Sequence, residues 1–170
     1  KRCSMELGGH APVVICADSD VEAAAALCAA FKFRNAGQVC IAPNRFYVEE
    51  SVAERFATGM TRAAEALVLG DSQDPATTMG PLTLASQRDK VEALIADAVG
   101  AGARLRTGGR RPEGRNTGYF LEPTVLSEVP ETARIMAEEP FGPVAPIATF
   151  RALPEAIQRA NATPFALAAC

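Results

Sequence analysis

The sequence predicts an α/β fold, a largely parallel, twisted sheet flanked by helices. Three observations predict it. Short apolar runs rich in β-branched residues recur along the 170 residues, with the length and makeup of buried strands. Longer segments with helical periodicity lie between them. The two kinds alternate, and parallel neighbours need such crossovers to be joined at all.

Pro12 to Cys16 (PVVIC) reads as the first buried strand. Asp18-Ser-Asp20 offers an N-cap before an alanine-rich helix from Val21 to Phe33, which Asn35-Ala-Gly37 ends. Arg45 to Val48 is a second strand, and Ser51 is expected to cap a helix running to about Leu67. Gly70 to Pro81 has glycine, aspartate and proline at loop density. Ala85 to about Val99 carries Val91, Leu94, Ile95 and Ala98 at helical spacing, with Gly100 and Gly102 beyond its end. Ala103 to Arg106 is expected to be a strand, Thr107 to Gly118 an exposed hairpin loop, and Leu121 to Val129 extended. Val144 to Phe150 is a strand, and Leu153 to Ala160 the last helix. A third glycine would have to stand at Leu105 to complete a dinucleotide-binding GxGxxG.

Composition excludes several classes. Hydrophobic residues make up 48% and charged residues 22%, which is the balance of a globular domain and not of a disordered one. The net charge of −3 is mixed along the chain, so nothing marks a nucleic-acid partner. No apolar stretch reaches the roughly 18 residues of a membrane span. Cys3, Cys16, Cys28, Cys40 and Cys170 are odd in number and lack CxxC spacing. That argues against a disulfide framework or a zinc site and fits a reducing, cytoplasmic setting. The start at Lys1 and the stop inside Phe165 to Cys170 are expected to be cuts in a longer protein.

Few residues offer chemistry. Cys40, in Gly37-Gln-Val-Cys40, follows a helix and a glycine turn. A thiol on such a loop can meet a ligand, with nearby backbone N–H groups for a developing oxyanion. Equally, it can be a small buried apolar residue, as most free cysteines are. Glu6, in Met5-Glu-Leu-Gly-Gly9, is either a general base or a surface acid near a turn. Glu138-Glu139 before Pro140-Phe141-Gly142-Pro143 reads by itself as a solvated acidic pair. His10 has no motif tying it to Cys40.

Together these fragments resemble the aldehyde dehydrogenase superfamily, in order and in spacing. Glu-Leu-Gly-Gly9, Gly-Gln-Val-Cys40 and Glu138-Glu-Pro-Phe-Gly-Pro143 carry the resemblance. Asn44 to Val48, Met79 to Leu82, Gly118 to Thr124 and Thr163-Pro-Phe165 extend it over the whole chain. The resemblance implies that Cys40 attacks the aldehyde as a thiolate, its backbone N–H helping to hold the oxyanion. It implies that Glu6 activates the water that hydrolyses the thioester. It further implies NAD or NADP as hydride acceptor, with Glu139 on the nicotinamide ribose, Phe141 beside the nicotinamide and the Leu7 carbonyl on its carboxamide. A small-molecule aldehyde, no metal and a homo-oligomeric parent complete the expectation. A CoA-acylating relative is the enzymatic alternative, disfavoured by Glu6. A non-catalytic α/β binding module is the alternative of another class.

Arg34 is the informative position within the family. Lys32-Phe-Arg-Asn35 looks like the succinate-semialdehyde dehydrogenase branch, where the arginine grips the substrate's far carboxylate. A guanidinium forks onto a carboxylate through two parallel hydrogen bonds. The alternative is an arginine that complements the helix C-terminus. Ala42 stands where some members of that branch carry a second cysteine, which puts a redox switch there in doubt. By resemblance, residues 1–170 are a partial catalytic domain, residues 1–9 being the end of its junction with an absent cofactor-binding domain. Alone, the piece is expected not to turn over.

Overall fold

The computed structural model describes residues 1–115 and 117–170. Strands β1 (Ala11–Ile15), β2 (Pro43–Glu49), β3 (Arg104–Thr107), β4 (Thr124–Ser127) and β5 (Val144–Phe150) form one sheet in the order β1-β2-β5-β4-β3. The β1–β2, β2–β5 and β5–β4 pairs are parallel; β3 joins β4 antiparallel at one edge. The chain therefore has the expected α/β class, with the loop from Thr107 to Gly118 joining the antiparallel pair. Asn116, within that loop, lies outside the described residues.

Side-chain alternation decides which layer each strand residue serves. Val13, Ile15, Phe46, Val48, Val125, Ala145 and Ile147 pack on one face against α1 (Val21–Phe33) and α2 (Ala53–Glu65). Tyr47, Leu126, Val144, Ala148 and Phe150 pack on the other against α3 (Ala85–Gly100) and α4 (Leu153–Asn161). Covering both faces makes the central strands largely apolar, as in Phe46–Val48 and Val144–Ala148, with Asn44 and Arg45 as buried exceptions at the start of β2.

Local signals set most boundaries. Asp20 caps α1 by accepting from the Ala23 N–H at 3.1 Å. Ser51 does not cap α2 as expected. Its hydroxyl donates to Glu49 Oε1, Glu50–Val52 forms a 3₁₀ turn, and α2 begins at Ala53 with no side-chain cap. The helix holds instead by its buried stripe of Phe56, Ala57, Met60 and Ala64.

Arg45 is a buried guanidinium with no carboxylate partner among the described residues. Its Nε donates to the His10 carbonyl at 2.9 Å, and its Nη2 to the Ala160 carbonyl at 2.9 Å. These bonds tie the start of β1 to the end of α4 and satisfy a charge that would otherwise be costly to bury.

Candidate active site

The three motif segments enter three neighbouring strands from the same end. Gly8–Gly9 leads into β1, Cys40 into β2, and Glu139–Gly142 into β5. Because these strands are parallel and adjacent, their preceding loops gather along one edge, the amino edge of the sheet. Open α/β sheets more often place ligands at the carboxyl edge.

Two glycines lock the loops together. A methyl group on Gly9 would overlap the Cys40 carbonyl, so only glycine allows this backbone approach. Gly37 has φ +73°, and a methyl there would overlap the Gly142 carbonyl. Between α1 and Cys40 the chain takes three left-handed residues in succession: Asn35 (φ 52°), Ala36 (φ 53°) and Gly37. Phe141 is also left-handed, at φ 43°. Backbone held in such sparsely populated conformations must be braced by its surroundings.

The bracing is visible. Asn35 Nδ2 donates to the Gln38 carbonyl at 3.0 Å, and Gln38 Nε2 returns a bond to the Asn35 carbonyl at 3.1 Å. Gln38 Oε1 accepts from the Thr83 N–H at 3.0 Å. From α3, Gln87 Nε2 donates to the Pro140 carbonyl at 2.7 Å, and Lys90 Nζ to the Glu139 carbonyl at 2.8 Å.

Cys40 is half-buried on this turn, just before β2. Glu139 is half-buried and accepts from the Gly9 N–H at 3.2 Å. The segments of Cys40, Gly9 and Glu139 are thus in direct contact. Glu6 and Leu7 are exposed on the irregular segment before β1, and among the described residues no hydrogen bond joins Glu6 to Cys40. Phe141 is half-buried. Arg34 is exposed just beyond α1, on a groove of about 390 Å³ shared with Ala26, Phe33, Leu67 and Thr78; Cys40 does not line it.

Two bases near these loops are buried, which the sequence did not reveal. Lys32 is fully buried, and its Nζ donates to Asn44 Oδ1 at 2.6 Å. Burial pulls its ammonium down to about 7, while Glu139 acts in the opposite direction. The available signal was position. Lys32 continues the face of Val21, Ala25 and Ala29, so helical periodicity turns it inward. His10 is buried edge-on to Phe165. Burial, helped by Arg45, lowers its imidazole to about 4, which keeps it neutral. The Cys28 thiol, half-buried on α1, is pushed up to about 11 by partial burial, unsuiting it as a nucleophile.

The aldehyde dehydrogenase family model matches residues 1–170. A succinate-semialdehyde dehydrogenase of Paenarthrobacter nicotinovorans is 48% identical over 99% of this chain and 37% of its own length. A 3-sulfolactaldehyde dehydrogenase of Pseudomonas putida is 44% identical over 99% of this chain and 34% of its own. A solved structure described as an E. coli NADP dependent enzyme superposes with a TM-score of 0.92 at 44% identity, covering 96% of this chain and 34% of that one. The chain thus spans about a third of the length of the relatives it matches.

Proposed function

The chain belongs to the aldehyde dehydrogenase family, and from that premise we propose that its protein oxidises an aldehyde with an anionic far end, succinate semialdehyde first among them, to the carboxylic acid. The observation that carries this reading is the contact among the segments of Cys40, Gly9 and Glu139 at the amino edge. Residues far apart in sequence meet there at a thiol and a carboxylate.

In this reading the Cys40 thiolate adds to the aldehyde carbon and forms a thiohemiacetal. The Cys40 backbone N–H holds the oxyanion, which is where such catalysis gains most. NAD or NADP, when bound, supplies the acceptor for the hydride that leaves this carbon. The carbon is left as a thioester on Cys40. Glu6 takes a proton from the water that attacks the thioester carbon, the C–S bond breaks, and the acid leaves while the sulfur stays on Cys40 as its thiolate. The residues fit the cofactor's nicotinamide end. The Glu139 carboxylate accepts a single hydrogen bond among the described residues, so it keeps acceptor capacity for ribose hydroxyls at a half-exposed position. Phe141 offers the ring an apolar neighbour and the Leu7 carbonyl an acceptor for its carboxamide.

Arg34 is assigned the substrate's far anion. It is exposed, with no side-chain hydrogen bond among the described residues, and the relatives named above act on a carboxylate-bearing and a sulfonate-bearing aldehyde. The remaining length of the protein is assigned the rest of the cofactor site, and the 170 residues alone are not expected to turn over.

One series of kcat/KM measurements on the full-length enzyme, with succinate semialdehyde and butanal, tests the reading. Cys40→Ala should abolish activity on both. Arg34→Leu should lower succinate semialdehyde by roughly 30- to 1000-fold, the equivalent of one lost charged contact, and spare butanal. Activity retained in Cys40→Ala removes Cys40 from the mechanism. An unchanged preference ratio in Arg34→Leu removes the anion clamp.

A further inference from the structure

Lys32 has no part in the chemistry proposed above, yet it is the charged side chain most completely enclosed beside the site. Its relative exposure is 0%. Burying an ammonium is expensive, and an apolar residue of equal length would fill the end of α1 at lower cost. A lysine kept there calls for a task that a hydrocarbon cannot perform.

The hydrogen bonds identify the task. Lys32 Nζ donates to Asn44 Oδ1 at 2.6 Å, and Asn44 Nδ2 donates to the Gly9 carbonyl at 3.4 Å. The Lys32 Nζ donates to the amide oxygen, and that bond leaves the amide nitrogen aimed at Gly9. The Gly9 peptide lies against the Cys40 carbonyl on one side and bonds Glu139 through its N–H. The titratable groups that interact with Lys32 are Glu139, of opposite sign, and His10, which is neutral and which Arg45 also influences.

We infer that Lys32 is a positioning residue: through the orientation it imposes on Asn44 it fixes the Gly9 peptide, and with it the Cys40 turn and the Glu139 carboxylate. The inference rests on the roles proposed for Cys40 and Glu139. Lys32 touches neither the thiol nor the carboxylate directly; it acts on both through one amide and one peptide.

The test uses the full-length enzyme and two variants. Lys32→Met keeps the side-chain length and removes the charge. Asn44→Asp keeps a partner for Lys32 and removes the donor to Gly9. Misplacing a reacting group by about 1 Å can lower turnover by about 100-fold. A small rotation of the Gly9 peptide should therefore lower kcat per folded active site by about tenfold in both variants, with the aldehyde KM held within about twofold. A merely structural lysine predicts wild-type kcat in Asn44→Asp, and in Lys32→Met a loss that tracks the folded fraction; either result overturns the inference. Should Lys32→Met fail to fold, Asn44→Asp decides alone. Should the wild-type protein oxidise no aldehyde, the proposed function fails, and alkylation of Cys40 by iodoacetamide, followed by mass spectrometry, decides the inference separately. A rate changed about threefold or more in Asn44→Asp, with the exposed Cys3 as internal reference, supports it; an unchanged rate overturns it.

Discussion

The amino edge of the sheet and the surface around the β3–β4 hairpin bind their charged groups by different means. At the amino edge the backbone is strained, glycines let carbonyls pack against bare Cα atoms, and the buried cations Lys32 and Arg45 bond oxygens of uncharged groups. Around the hairpin, arginines pair with carboxylates at the surface: Arg106 with Glu54, Arg110 with Glu122, Arg111 with Glu92 and Asp89. The first region gives up local stability to hold loops from three strands in one geometry. The second relies on solvated ion pairs at its surface, and its one comparable close approach, Gly108 (φ +74°) against the Pro123 carbonyl, closes the hairpin on itself and joins no loops of different strands of the site. Local rules are broken where position matters, and strain of that kind persists only if the surroundings over-determine it.

The largest test of this contrast is Gly9→Ala. The added methyl meets the Cys40 carbonyl, which is backbone and cannot swing aside. The Cys40 turn must shift, and kcat should fall by about 100-fold or more in the full-length enzyme. The substitution adds only one methyl and no charge, so circular dichroism should still report a folded protein. A Gly9→Ala enzyme with wild-type kcat would mean that the contact between the β1 and β2 loops does not set the geometry of the thiol.

His10 gives a second test, of intermediate size, and here the readout is stability. In the folded protein its imidazole is held near 4; in the unfolded chain it returns to about 6.5. The unfolded state therefore binds the extra proton as pH falls below 6.5, and stability is lost progressively down to about 4. At pH 5 the loss from this one group comes to about 2 kcal/mol. Denaturant midpoints of the full-length protein at pH 7.5 and 5 should differ more for wild type than for His10→Leu. Equal differences would mean that the His10 site admits a charged imidazole. The same buried environment explains why His10 serves badly as a base for Cys40.

The sequence made the fold legible wherever one signal dominated. The helix Val21–Phe33 and the strand Val144–Phe150 fall where cap and composition place them, because Asp20 and the apolar run have no competitor. Ser51 misled, because a good capping residue lies inside a 3₁₀ turn whose geometry a single residue type does not encode. The antiparallel pairing of β3 follows from its hairpin connection, whereas the placement of β5 between β2 and β4 is a long-range choice with no local trace. At the site, the motifs named Cys40 and Glu139 but not the edge that unites them, since strand order decides which loops become neighbours. Lys32 and Arg45 were hidden for a plainer reason. Each looks like a surface cation until its helix face or its strand's burial on both sides is known.

The smallest expected effect belongs to the hairpin surface, and its smallness is what sharpens the comparison. Arg111 pairs with Glu92 at 2.6 Å and with Asp89 at 3.1 Å, all three side chains being solvent-accessible. Exposed pairs of this kind gain little, because water screens the attraction and two long side chains lose rotamer freedom to keep it. Arg111→Gln removes both pairs at once while keeping a polar side chain of similar reach. The melting temperature of the full-length protein should therefore shift by less than about 3 °C. Because the pairs are screened, even that difference should shrink as salt approaches about 1 M, where the Debye length falls to about 3 Å. Turnover should stay within about twofold of wild type, since no hydrogen bond among the described residues leads from Arg111 to the Cys40 turn or to Glu139. If Arg111→Gln lowered kcat as steeply as Gly9→Ala, the loop around the hairpin would have to be coupled to the amino edge through α3, whose Lys90 and Gln87 hold the Glu139–Phe141 turn. Measuring kcat and melting temperature for both variants in one buffer, at low and high salt, decides between a surface that merely covers the fold and one that helps to hold the site.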